Sequence, residues 1–234
     1  DLNALFGIAG FAGGIGFGTI FLKRGYSLQR TYALSKLESA MMPAIQVGLL
    51  VLVVTAPAFI FFSQKGPGAM HAPWLISLAA GLVVGGLSQV SRLCTVGGFR
   101  DLFLFKKSIL IFGYLAVLVG VFVVNISFGN FHLGFENQPI AHTDGLWNFL
   151  GMALAGFCSV LLGGCPLRQL IMTGEGNSDS AVTVLGLAAG AAFAHNFGLA
   201  ASGAGPTLNG QIAVGVGFVV ALIIAILNTK RANA

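Results

Sequence analysis

The sequence predicts an all-α, polytopic α-helical membrane protein with about seven transmembrane or half-membrane segments, broken helices and an inverted repeat, forming one membrane domain over 1–234. Three observations predict it. Of the 234 residues, 56% are hydrophobic and only 8% charged, and the mean hydropathy is +0.90. A soluble domain carries about 25% charged residues, so this chain could not cover itself with a polar surface in water. Seven apolar stretches approach the length needed for a span, roughly 20 residues for about 30 Å of hydrocarbon. Lys and Arg, finally, fall in alternate loops.

In order, the apolar stretches are Leu2 to Leu22, Met41 to Phe62, a short Gly- and Ser-rich Trp74 to Val90, Ser108 to Phe128, Leu146 to Leu162, Ser180 to Leu199 and Gln211 to Leu227. Lys23, Arg24, Arg30 and Lys36 follow the first; Arg92, Arg100, Lys106 and Lys107 follow the third. Arg168 follows the fifth, and Lys230 and Arg231 the seventh. The other loops hold Lys65, or Glu136 and Asp144, or no charge at all from Ala200 to Gly210. Basic loops stay in the cytoplasm, which puts the C-terminus inside and Asp1 outside. The net charge of +5 is therefore topology, not a nucleic-acid surface, which needs a basic face on a soluble domain. A start at Asp1 with no signal segment suggests the C-terminal part of a longer, two-repeat transporter. In keeping with this, the Gly-rich first segment from Ala4 to Gly18 echoes the sixth, from Val182 to Gly198, and the loop charges make the two cross in opposite directions. Opposed copies of one unit mark inverted-repeat transporters.

Two segments carry the chemistry. In SRLCTVGGFRD the third stretch runs into Cys94, Gly97 and Gly98, with Arg92 before and Arg100 and Asp101 after. In LLGGCPLR the fifth runs into Gly163, Gly164, Cys165, Pro166 and Arg168. Proline lacks an N–H and its ring clashes one turn back, so Pro166 should end or break the fifth helix. Broken helices at membrane depth persist only where the backbone is buried in protein or lines a cavity. Their freed N–H groups suit an anion, and a thiol adds a polarizable, weak donor. That combination fits a small sulfur- or selenium-bearing anion. Cysteine is also a common buried hydrophobe, and the arginines could equally be topological anchors. Cys158, with no Gly pair or Arg beside it, reads as packing.

Around the second thiol, Asp179 is placed to cap the sixth helix, while Glu175 and Asn177 have no such explanation. His195 and Asn196 sit inside an apolar span, where polar residues mark functional sites or bond helix to helix. His71, His132 and His142 lie in loops. No CxxC or HExxH spacing supports a metal, no P-loop supports ATP-driven transport, and no cofactor is expected.

SRLCTVGGFRD, LLGGCPLRQLIMTGEGNSDSAVTVLG and the following AHNFGLAAS resemble the sulphur-transport (YeeE/YedE) family of bacterial inner-membrane proteins, and within it the YedE-like (FdhT) branch tied to selenium metabolism. The resemblance implies transport of a small chalcogen oxyanion of the thiosulfate kind through a waist lined by Cys94 and Cys165. Gly163, Gly164, Arg92, Arg100, Arg168, Glu175, Asn177, His195 and Asn196 would complete the substrate site. It implies no enzyme activity, the lipid bilayer and a small inorganic anion as partners, and a cytoplasmic sulfur- or selenium-carrier protein as a further one. Three rivals use the same residues: a membrane thiol sulfurtransferase, a structural partner of a selenoenzyme, and an unselective channel.

Overall fold

The computed structural model describes residues 2–28, 35–59, 69, 72–136 and 142–229. Asp1, Arg30, Lys65, His71, Lys230, Arg231 and the end of the second stretch at Phe62 lie outside the described residues. Among the described residues there are nine α-helices: α1 (Asn3–Lys23), α2 (Lys36–Thr55), α3 (Trp74–Ser91), α4 (Thr95–Phe105), α5 (Ile109–Ser127), α6 (Gly145–Leu161), α7 (Pro166–Gly174), α8 (Ser178–Asn196) and α9 (Leu208–Leu227). Among the described residues five stretches are long and apolar enough to cross a membrane: Asn3–Lys23, Trp74–Phe105, Ile109–Ser127, Gly145–Gly174 and Leu208–Leu227. α2 contributes a shorter apolar helix, Ala40–Thr55. α8, rich in Ala, Gly, Ser and Thr, is not among the five.

The protein is a polytopic, all-helical membrane protein, and two of the five spans among the described residues are broken. Trp74–Phe105 joins α3 to α4, and Gly145–Gly174 joins α6 to α7. These short second helices were not expected as elements, since 11 and 9 residues are too few to register as apolar spans. The break after α6 is a Schellman turn: Gly163 takes φ 82, and Gly164 N–H donates to the Ser159 carbonyl at 3.0 Å. Gly163 is there for this left-handed backbone, not to admit a neighbouring chain, because a Cβ on it would meet nothing within 4 Å. Pro166 opens α7 at the first helical position, where its missing N–H costs nothing.

The chain forms two compact units, Asp1–Arg30 with Leu93–Leu167 and Leu185–Ala234, and Thr31–Arg92 with Arg168–Val184. In the first, α1 and α6 run side by side and parallel. Gly10 faces the Phe149 carbonyl, Gly14 the Ala153 carbonyl and Gly18 the Val160 side chain, while Gly156 of α6 faces the Phe11 carbonyl. Small residues four apart let membrane helices touch backbone to backbone. α4 folds antiparallel onto α5 by the same device: a Cβ on Gly98 would lie 3.2 Å from Ile111 N. Below the α1–α6 contact, Phe21, Tyr26, Phe157 and Leu161 pack on Ala221 and Ala225 of α9. α5, by contrast, buries none of its residues, as a helix facing lipid would.

The ends of α1 and α9 meet in a bridge between Tyr26 and Thr229, so the segment after α1 and the chain's last described residues share one face, as the loop charges require. The Tyr26 hydroxyl donates to the Leu161 carbonyl at 3.2 Å. Burial, and after it the Cys158 thiol, push this phenol above its ordinary range, which keeps the proton on the donor. Tyr26→Phe should therefore destabilise the fold by about 1–3 kcal/mol, the cost of an orphaned buried carbonyl; thermal unfolding in detergent measures it.

The resemblance between the first and sixth stretches rests on glycines with different tasks. Gly18 lies within α1 against Val160, whereas Gly198 takes φ 65 just beyond α8. The cap of α8 also differs from expectation. Asn177, not Asp179, accepts the orphan N–H of Ser180 at 2.9 Å, and Asp179 sits in the first turn.

Candidate functional site

Each broken span stops, turns, and restarts directly after a cysteine. Cys94 is the N-cap of α4, with extended backbone, and its Sγ accepts the Gly97 N–H at 3.2 Å. Sulfur takes the place that Ser, Thr, Asp or Asn usually fills. Cys165 immediately precedes Pro166, the first residue of α7. Although 71 positions apart in sequence, the two thiols pack in one cluster with Ile15, Val96 and Val160. Cys94 lies within hydrogen-bonding reach of both the Cys165 thiol and its backbone. Neither cysteine is in a disulfide, and both are buried. Ile15, near the middle of α1, fixes this meeting point within the spanning region. The N-termini of two half-helices thus converge on a thiol pair, and helix N-termini carry partial positive charge and unpaired N–H groups. Cys158 stands apart, at the edge of the Phe21–Phe157 cluster.

The glycines of the two motifs divide their work. Gly97 and Gly98 hold α4 tight to α5, with Leu110 and Ile111 as neighbours. Gly163 makes the turn, and Gly164, buried, closes it.

The second unit holds another cluster. The Arg168 guanidinium donates to the Gln89 side-chain carbonyl at 3.2 Å and lies 3.7 Å from the Glu175 carboxylate. Gln89, on α3, was not singled out by sequence; the signal was an amide near the end of an otherwise apolar span. The remaining candidates are placed singly. Arg92 caps α3 in a left-handed conformation, φ 52, and is exposed. Arg100 pairs with its neighbour Asp101 at 2.9 Å. Asn177 caps α8. At the opposite end of that helix, His195 is exposed and Asn196 bonds back to the Ala192 carbonyl at 2.8 Å. Glu175 and Asn177 are therefore engaged with Arg168 and the α8 cap respectively, and His195 and Asn196 occupy the other end of the helix. Among the described residues no three His, Cys, Asp or Glu side chains gather as a metal site would need.

The profile of the family described as Sulphur transport matches residues 90–230. The chain is also similar to the thiosulfate transporter TsuA of Escherichia coli (strain K12), 29% identical over 111 residues, which are 46% of this chain and 30% of the relative. It thus spans about a third of the length of that curated relative. No solved structure gives a significant match. The family match takes in α4, α6 and α7 with both thiols, Arg168 and Glu175, and it covers more than half of the sequence. This chain belongs to the sulphur-transport family.

Proposed function

We propose that the protein carries a small sulfur or selenium oxyanion, of which thiosulfate is the type, across the bacterial inner membrane through a constriction at Cys94 and Cys165. The observation that supports this reading is the convergence of the α4 and α7 N-termini on two buried thiols that carry no disulfide. Two half-helix dipoles offer positive potential without a fixed cation, and two S–H groups offer weak, soft donors. An anion held this way binds and leaves again, as conduction requires. Arg168, with its charge shared between Gln89 and Glu175, would draw anions toward the path from the cytoplasmic side. Arg92 and Arg100 would each add positive charge after the third stretch, and Asn177 would hold the start of α8 in register. His195 and Asn196 would act at the far end of α8. The C-terminus would face the cytoplasm, where a sulfur- or selenium-carrier protein would collect the product.

Uptake of labelled thiosulfate into proteoliposomes containing the purified protein tests this. Saturable uptake, suppressed by excess unlabelled thiosulfate and by selenite but not by chloride, is expected. Equal passage of chloride would replace the carrier with an unselective channel, and conversion of thiosulfate by the protein in detergent would make it a sulfurtransferase.

A further inference from the structure

Two thiols that touch, carry no disulfide, and stand at the starts of two separate half-helices can do more than donate hydrogen bonds. A disulfide between them would tie the N-cap of α4 to the residue before α7. It would also consume both S–H donors at once. We propose that the Cys94–Cys165 pair is a redox lock closed by the oxidised dimer of the substrate, a polythionate such as tetrathionate. The choice of oxidant rests on the thiosulfate reading above; the pairing of the thiols does not.

The chemistry balances without a further reactant. Tetrathionate is two thiosulfate halves joined by a central S–S bond, and thiolates attack such bonds through a mixed intermediate. One cysteine loses its proton and attacks that bond. A bond forms from its sulfur to one half, the central bond breaks, and the other half leaves as thiosulfate. The second cysteine then loses its proton, attacks the first cysteine's sulfur and expels the second thiosulfate. Two thiols and one tetrathionate become one disulfide, two thiosulfates and two protons. The cysteines give up two electrons and the polythionate gains them.

Burial gives the lock its selectivity. Cys94 is 8% exposed and Cys165 2%, so bulky disulfides such as oxidised glutathione are kept out. A small dianion that enters by the route of its own reduced half reaches both sulfurs. Substrate in its oxidised form would close the path, and its reduced form would leave it open. Cys158, in a different cluster, takes no part.

The test uses the whole protein in proteoliposomes and in detergent, treated with tetrathionate, diamide or oxidised glutathione, then alkylated and mapped by mass spectrometry. Tetrathionate and diamide should each give a Cys94–Cys165 disulfide, and oxidised glutathione little of it. Tetrathionate should release two thiosulfates per chain. Thiosulfate uptake should fall at least about tenfold and return with dithiothreitol, as for a reversible thiol–disulfide exchange. The Cys158→Ala protein should give the same disulfide. Cysteines that remain alkylatable after both tetrathionate and diamide would overturn the pairing. A disulfide that leaves uptake unchanged would overturn the lock. Disulfide formation and thiosulfate release in a protein whose reduced form takes up no thiosulfate would uphold the pair's chemistry and sink the transport reading instead.

Discussion

Cys94→Ala and Cys165→Ala are each expected to cut thiosulfate uptake by about tenfold or more, equivalent to roughly 1.4 kcal/mol or more of lost transition-state stabilisation. The two losses differ in origin. Cys94 holds the start of α4 through its bond to the Gly97 N–H, so the alanine variant also leaves a buried donor unpaired, at about 1–3 kcal/mol of stability. Cys94→Ser keeps a capping oxygen and an O–H donor. It should restore stability and recover part of the uptake, the shortfall measuring what the softer, more polarizable sulfur contributes. Cys165→Ser should behave likewise. Cys158→Ala, at the edge of the Phe21–Phe157 cluster, should leave uptake within about twofold of the parent, in line with loss of a small packing group. Because Cys94 and Cys165 touch, the double alanine variant should lose less than the sum of the single losses. Uptake rates measured beside unfolding temperatures separate the two origins. Normal uptake by the double variant would remove the thiols from the mechanism.

The positions of the apolar helices were legible because apolar runs bounded by charged loops have few ways to fold in a bilayer. The seven stretches correspond to α1, α2, α3, α5, α6, α8 and α9. Pro166 and the glycine pair before it announced the break after α6, and the shared Gly–Cys–Arg pattern pointed to the thiols that the fold brings together. What stayed hidden is what hydropathy does not encode. α4 and α7 are too short and too polar to register as spans, yet they position both cysteines. Gln89 is one amide among apolar neighbours, and only the fold shows that it receives Arg168. The cap of α8 shifted from Asp179 to Asn177 because either side chain satisfies the local rule and only the actual first turn decides. Glycine was the least legible residue. The 34 glycines look alike in sequence, although Gly163 is chosen for its backbone angle, Gly98 for the approach of α5, and Gly120 sits in open space.

That difference among glycines sets the second large expectation, Gly14→Val. A Cβ on Gly14 would run into the Ala153 carbonyl, just as one on Gly10 would run into the Phe149 carbonyl and one on Gly156 into that of Phe11. In each case the obstacle is backbone, which cannot rotate away as a side chain can. The valine could be admitted only by parting α1 from α6. Overpacking of this kind costs about 1–3 kcal/mol where side chains can yield, and more where they cannot. α1 and α6 also carry the wall of the thiol cluster, through Ile15 and Val160. A parted pair would therefore disturb the thiol cluster even in molecules that stay folded. Gly14→Val should lower the detergent unfolding temperature sharply and abolish uptake, while Gly151→Ala on α6, where a Cβ would meet nothing within 4 Å, should be tolerated. Its helix should even gain up to about 1 kcal/mol, since alanine replaces the poorest helix former after proline. Equal stability of the two variants would show that α1 and α6 do not meet backbone to backbone, and the thiols would then lack the rigid wall that sets their approach.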